Sequence, residues 1–241
     1  MNEKKEQSLE DLLNEENIEK IISKNSFRPE VSPAVIKRLP RYFRYLREII
    51  RMGKTRVSSA ELSRMMNVTA SQIRQDLNCF GGFGQQGYGY NVNYLYTKIC
   101  EIHGVGCGFR AAVIGSGNLG SALVRSPMFE KRGVDVVAMF DVSKDVIGKK
   151  VGNVKVYSMD SLEEKLDKYA VDIAILTLPK EYACEVSARL SGTRVKGIWN
   201  FTGKEIDADQ SVVVENVHIG DSLMTLCYEV AQKMYRNDGK E

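Results

Sequence analysis

Between residues 35 and 52 the apolar side chains Leu39, Tyr42, Phe43, Leu46, Ile49 and Ile50 recur at the i, i+3, i+4, i+7 spacing of one helix face. Arg38, Arg41, Arg44, Arg47 and Arg51 fall largely off that stripe, and Gly53 ends it. Pro40 sits early in the segment, so the helix is expected either to start there or to bend there. A second, shorter helix is predicted from Ser58, with Glu61 at capping-box distance and Leu62 and Met66 facing inward. A third opens at Thr69, with Gln72 three residues on, and carries Ile73, Leu77 and Phe80 along one face. The join from Met66 to Thr69 has the length of a helix-turn-helix connection.

The other face of the third helix holds Ser71, Gln72, Arg74, Gln75 and Asn78. Arg can donate two bonds to guanine, and Gln or Asn can pair with adenine, so this face has the chemistry to read a major groove. The glycine-rich stretch that follows, residues 81–90, alternates glycines with aromatics and predicts a tight hairpin. Behind a recognition helix such a hairpin is a wing, with Gln85, Gln86 and Tyr88 as candidate DNA contacts.

From Arg110 the period changes to short apolar runs alternating with helices, the pattern of a parallel α/β sheet. A buried-strand run, Ala111 to Ile114, feeds Gly115–Ser116–Gly117–Asn118–Leu119–Gly120. This is G-x-G-x-x-G between a strand and a helix, where the glycines serve a tight turn, a pyrophosphate approach and helix–strand packing. A second strand runs from Val134 to Phe140 and ends in Asp141, where a ribose-binding carboxylate belongs and where NAD is favoured over NADP. Further strands are predicted at 154–157, 172–178, 195–201 and 211–215, with helices opening near Asp160 and Glu181. Thr177, Leu178, Pro179, Asn200 and Phe201 stand at strand ends, the edge on which such sheets hold ligands, and are candidates for the nicotinamide side. Leu223, Leu226, Cys227, Val230 and Met234 form a last amphipathic helix, suited to closing the sheet domain or packing on a second subunit.

Composition sharpens this organisation. At 241 residues the chain suits one large domain or two smaller ones. With 27% charged residues, no membrane-length apolar run and no apolar leader, a cytoplasmic protein is expected. Five scattered cysteines make no disulfide framework, and Cys100, His103 and Cys107 lack the fourth ligand of a structural zinc site, so no metal is expected. The net charge of +3 is unevenly spread: residues 1–27 carry −3, residues 28–80 carry +7 and the rest −1. A basic block on the helix-turn-helix pattern points to nucleic acid.

Several ungapped stretches carry a family likeness: Arg38–Leu39–Pro40, Arg56–Val57–Ser58–Ser59–Ala60–Glu61–Leu62, Arg74-x-Asp76–Leu77, Phe80–Gly81-x-Phe83–Gly84, Gly87–Tyr88–Gly89–Tyr90, Gly115 to Gly120, Phe140–Asp141–Val142 and Asn200–Phe201–Thr202. They span about residues 36–230, and over that length the chain resembles the Rex family of bacterial redox-sensing transcriptional repressors. The resemblance implies a winged-helix DNA-binding domain, then a Rossmann-like NAD(H) domain of parallel-sheet α/β class, then a C-terminal helix swapped between the subunits of a homodimer. In this chain these correspond to an acidic extension over 1–30 and domains at 31–105, 106–217 and 218–241. It further implies operator binding when NADH is scarce and release when NADH binds. Arg74 would contact the operator, the wing the minor groove or backbone, Gly115 to Gly120 the pyrophosphate and Asp141 the adenosine ribose. Four positions depart from the family pattern. Gln75 and Gln86 stand where basic residues are common, Ser126 where a Tyr lies near the nicotinamide, and His218 where an Asp can pair with the first-helix Arg, here Arg44. Two other readings remain: a regulator of this fold with a different nucleotide ligand such as a coenzyme A derivative, and an NAD-dependent dehydrogenase. The second lacks an evident proton-relay residue beside the nicotinamide, so no enzyme is expected.

Overall fold

The computed structural model describes residues 31–79, 84–85 and 89–238. The acidic extension, Phe80, Gln86 and Tyr88 lie outside the described residues. The chain divides between Cys107 and Gly108 into two compact units, each with its own core.

The first unit begins with α1 (Pro33–Arg51), capped by Ser32, whose hydroxyl accepts from the Val35 amide. Pro33 at the first turn suits its missing N–H, and Pro40 is accommodated inside the helix on its exposed side. The helix therefore starts seven residues before Pro40. Val35, Leu39, Tyr42, Leu46 and Ile49 form its buried face. Strand β1 (Arg56–Val57) leads to α2 (Ser59–Met66) and α3 (Ala70–Asn78). Ser58 and Thr69 cap these two helices as their spacing predicts, accepting from Glu61 and Gln72 amides at 3.1 Å each. Neither capping box closes with its side chain, because Glu61 pairs with Lys54 and Gln72 turns to Asp76. Between the helices Asn67 adopts a left-handed conformation, φ 51°, which an Asn tolerates better than most residues. Ser63 donates to the Val68 carbonyl and Arg41 to that of Met66, so the turn is held from both sides.

The wing is a small antiparallel sheet in the order β1–β3–β2, with β2 at Gly84–Gln85 and β3 at Gly89–Asn91. Gly89 takes φ +68°, and a Cβ there would meet the Val57 carbonyl at 2.7 Å, so only glycine lets these strands approach. A helix absent from the sequence reading, α4 (Val92–His103), follows and packs Val92, Leu95, Tyr96 and Ile99 against the same core. It follows strand β3 directly, is capped by Asn91, which accepts from the Tyr94 amide, and keeps its buried residues at i, i+3, i+4, i+7.

The second unit is a seven-stranded sheet ordered β10–β9–β8–β4–β5–β7–β6. Its strands are β4 (Phe109–Ile114), β5 (Val134–Asp141), β6 (Lys150–Val151), β7 (Val154–Ser158), β8 (Ile173–Leu176), β9 (Gly197–Asn200) and β10 (Val213–Asn216). All pairs are parallel except the short edge strand β6, which runs antiparallel to β7. From β4 the chain winds outward through β5 and β7, then returns to β8 on the other side of β4 and continues outward. Helices α5 (Asn118–Arg125), α6 (Leu162–Lys168) and α7 (Ala183–Ser191) connect β4 to β5, β7 to β8 and β8 to β9. The topological switch point falls between β4 and β8, and ligands of doubly wound sheets bind at the strand ends there. The last helix, α8 (Ile219–Asp238), leaves Leu223 59% and Tyr235 78% exposed, together with Ile219, Met224, Leu226, Tyr228, Val230 and Met234.

Candidate nucleic-acid interface and dinucleotide site

Helix α3 turns Ile73, Asp76 and Leu77 into the core and Ser71, Arg74, Gln75 and Asn78 to the surface. Four of the five predicted reading residues therefore share one exposed face. Gln72 is the exception: its amide donates to Asp76 at 2.8 Å and lies on the flank. Arg74 reaches back to the Ser59 hydroxyl at 3.3 Å, across the helix-turn-helix. Gln85 belongs to strand β2 of the wing.

The buried Asp76 is the unforeseen residue of this unit. Its carboxylate is fully covered and accepts a bidentate pair from Arg38, at 2.8 and 2.7 Å, and a bond from the Tyr42 hydroxyl at 3.0 Å. Burial alone would raise its pKa; the bonds from Arg38, Gln72 and Tyr42 outweigh it and hold the carboxyl below its ordinary range. Burial, then the Asp76 charge, pushes the Tyr42 phenol up, so Tyr42 stays a donor. The helical pattern scores Asp76 as polar; Gln72 is a local partner, but Tyr42 and Arg38 lie 34 and 38 residues away, beyond any local signal.

In the second unit Gly115 leaves β4 at φ +106°, and a Cβ on it would strike the Thr177 carbonyl at 2.6 Å. Gly120 is tighter still, its Cβ position lying 2.1 Å from the Gly115 oxygen and 2.6 Å from Thr177 Oγ1. Packing explains both glycines. It does not explain Gly117, which has φ −63° and nothing within 4 Å of its Cβ position. Gly117 and Asn118 are exposed, Leu119 half-buried, and no side chain caps α5. Helix amides and their dipole thus face an open space, the arrangement that receives a pyrophosphate.

Asp141, at the carboxyl end of β5, accepts from the Ser116 amide and hydroxyl at 2.7 and 2.6 Å and from the Ser143 amide at 2.9 Å. Burial opposes ionisation, but these bonds prevail and hold the carboxyl below its usual value. An ionised acceptor beside the glycine turn suits ribose hydroxyls and repels a 2′-phosphate. The residues present therefore fit a dinucleotide at the pyrophosphate and the ribose.

The other predicted residues take more varied places. Thr177 spends its hydroxyl on the Gly115 and Ile114 carbonyls, at 2.9 and 3.2 Å, clamping the glycine turn from β8's end. Leu178 packs on the core and Pro179 is exposed. Asn200 is buried, and its amide is fully used on Lys204, Asn216 and Thr202. It organises loops, and ligand contact from its side chain would require breaking them. Phe201 lies edge-on to Trp199 at 4.5 Å. Ser126 ends α5 and accepts from the Met128 amide. Arg44 stacks over the Tyr45 ring at 5.6 Å, and His218 stands 4.0 Å from Glu205. Among the described residues no three ligating side chains converge on a metal position, and burial keeps the Cys100 thiol protonated, its pKa pushed up to about 12. Among them, too, no helix is long and apolar enough to cross a membrane.

A helix-turn-helix with an outward polar recognition helix, followed by a doubly wound sheet with a dinucleotide-type glycine turn, defines a protein that pairs a DNA-binding fold with a nucleotide-binding one. Residues 30–78 match the family model "Putative DNA-binding protein N-terminus", and residues 109–203 match "CoA binding domain". The chain is 46% identical over 207 residues to a redox-sensing transcriptional repressor Rex of Caldicellulosiruptor saccharolyticus, covering 86% of this chain and 94% of that one. It is 46% identical to the Rex of Clostridium beijerinckii, covering 82% and 94% respectively. Among solved structures it is similar to RSP, a Rex-family repressor, at TM-score 0.81 and 41% identity, covering 89% of this chain and 100% of that one. RSP in complex with β-NAD+ and operator DNA aligns at TM-score 0.80 and 43% identity, covering 88% and 98%. RSP with β-NADH aligns at 0.80 and 40%, covering 88% and 100%. The chain belongs to the Rex family.

Proposed function

We propose that this chain is an NADH/NAD-responsive transcriptional repressor, cytoplasmic, that binds operator DNA as a homodimer and is released by NADH. The observation that carries this reading is the pairing of an outward recognition face, Ser71, Arg74, Gln75 and Asn78, with the open Gly117 turn and the ionised Asp141 in one chain. A relative that shares 43% of its residues has been crystallised with β-NAD+ and operator DNA together. In this reading Arg74 meets base edges and the wing meets the minor groove or backbone. Gly115 to Gly120 hold the pyrophosphate, Asp141 the ribose, and Pro179 and Phe201 border the nicotinamide. Helix α8 is apolar on several sides and exposed, and such a helix is stable when buried against another body. A second copy of the chain, exchanging this helix, supplies that cover and the two-fold symmetry that paired half-sites need. Arg44 and His218 belong to the switch between the two states.

Gel-shift titration of a palindromic operator with NADH and NAD tests the proposal: NADH releases the DNA and NAD does not. Equal occupancy at every NADH/NAD ratio refutes the sensing role. A coenzyme A ligand is the second reading, favoured by the family model over residues 109–203. Calorimetric titration with NADH, NAD and an acyl-CoA separates the two, since micromolar NADH binding with no acyl-CoA heat excludes the second. The dehydrogenase reading is set aside, because the relatives at 44–46% identity are repressors.

A further inference from the structure

We infer that Arg38 is a phosphate-binding residue of the DNA interface, aimed by the buried Asp76; the inference rests on the DNA-reading proposed above. An Arg carries five N–H donors in a rigid fork. Arg38 spends two of them on Asp76, and among the described residues the others meet no protein acceptor, while the side chain keeps 30% exposure. Gln72, one turn before Asp76 on α3, is half-buried between the core and the exposed face and donates to the same carboxylate that Arg38 grips. The partly exposed guanidinium therefore lies on the Gln72 side of α3, at the edge of the recognition face. A helix with its side chains is about 10–12 Å across and the major groove about 12 Å wide, so groups on a seated helix's flank stand against a phosphodiester backbone. Phosphate oxygens, like carboxylate oxygens, match the planar donors of a guanidinium, and Arg38 keeps donors beyond the two that Asp76 takes.

Asp76 gives this placement its precision. A buried ion pair adds little net stability over a well-packed apolar pair, so its value lies in fixing one arrangement. Here four groups, two from α1 and two from α3, lock the roll of the recognition helix and the direction of Arg38 in a single network. The same roll that exposes Ser71, Arg74, Gln75 and Asn78 thus sets the distance from Arg38 to the DNA backbone.

The test measures operator affinity against salt for the full-length protein, using a duplex carrying the operator of the DNA-bound relative and a shuffled duplex. In Arg38→Gln the slope of log K against log salt becomes shallower by about 0.9 per subunit for both duplexes. The affinity deficit at 50 mM salt then exceeds that at 200 mM about three- to fourfold per subunit. Asp76→Asn keeps the slope and loses operator preference over the shuffled duplex. Where either single variant unfolds, the double variant Arg38→Met, Asp76→Leu removes both charges without stranding one, and it shows the same shallower slope. A wild-type slope in the folded Arg38 variants, with only thermal stability changed, overturns this inference alone. Wild-type protein that binds neither duplex at any salt overturns the DNA reading as well.

Discussion

Alanine at Gly117 and at Gly120 should produce opposite phenotypes three residues apart. At Gly120 the new methyl would sit 2.1 Å from the Gly115 oxygen, against an ordinary contact of at least 3.4 Å. Relief needs α5 to retreat by roughly 1 Å from the β4 turn, because the obstructing atom is backbone and cannot rotate away. Overpacking of this kind costs about 1–3 kcal/mol, which for a chain of this size lowers Tm by about 3–10 °C. At Gly117 the methyl meets nothing within 4 Å and φ is −63°, so the folded protein pays no steric cost. The opposing effects of a less flexible unfolded chain and a poorer N-cap residue keep the change within about 1 kcal/mol, or a Tm shift of about 3 °C at most. The Gly117 methyl instead fills the space through which a pyrophosphate approaches the α5 amides, and NADH affinity should fall at least about tenfold, or about 1.4 kcal/mol. Thermal unfolding of both variants and calorimetric titration with NADH check this. Wild-type NADH affinity in Gly117→Ala would refute the assignment of the open turn as the phosphate cradle. Wild-type stability in Gly120→Ala would refute the packing account of the third glycine.

Asp141→Asn should weaken NADH at least about tenfold and reduce the preference for NADH over NADPH, since the charge that repels a 2′-phosphate is gone; titration with both dinucleotides reads the ratio. Asp76 and Asp141 have folded pKa values below the 3.8 of the free carboxyl. The stability they contribute is therefore complete above that range and is lost as pH falls through their lower folded values. Urea midpoints between pH 7 and pH 3 should fall less steeply in Asp76→Asn than in wild type. Gln75→Lys should steepen the salt dependence of operator binding by about 0.9 per subunit, while Arg74→Ala should cost about 1–3 kcal/mol with discrimination relaxed at one base; fluorescence anisotropy across a salt series measures both. Leu223→Asp, placing a charge on an exposed apolar face of α8, should convert dimer to monomer in sedimentation and weaken operator binding, and an unchanged dimer would exclude that face from the interface.

What could be read along the chain were the features set by neighbouring residues. The stripe on α1, the caps at Ser58 and Thr69, the helix-turn-helix length and the strand–glycine–helix–Asp141 series depend on spacings within about 30 residues. The basic block over residues 28–80 likewise marked the unit that holds the recognition helix. The start of α1 at Pro33 was not legible, because Pro40 in the same stretch permits either a start or an interior position, and only its exposed side of the helix makes room for the ring. Helix α4 carries the same local signal, Val92, Leu95, Tyr96 and Ile99 at i, i+3, i+4, i+7 behind the Asn91 cap, and so was legible too, although the sequence reading leaves it out.

Tertiary structure decided the partners. Asp76 is one more polar residue on an amphipathic helix until Arg38 and Tyr42 arrive from α1 to make its burial affordable. Thr177 and Asn200 share the strand-end position that marks ligand residues, yet one clamps the glycine turn and the other saturates itself within its own loops. Sequence determined that a dinucleotide turn and a recognition helix exist, because local geometry follows from local spacing. Which side chains remain free to meet a ligand was decided only by the fold, because hydrogen bonds between distant segments consume some candidates and leave others open.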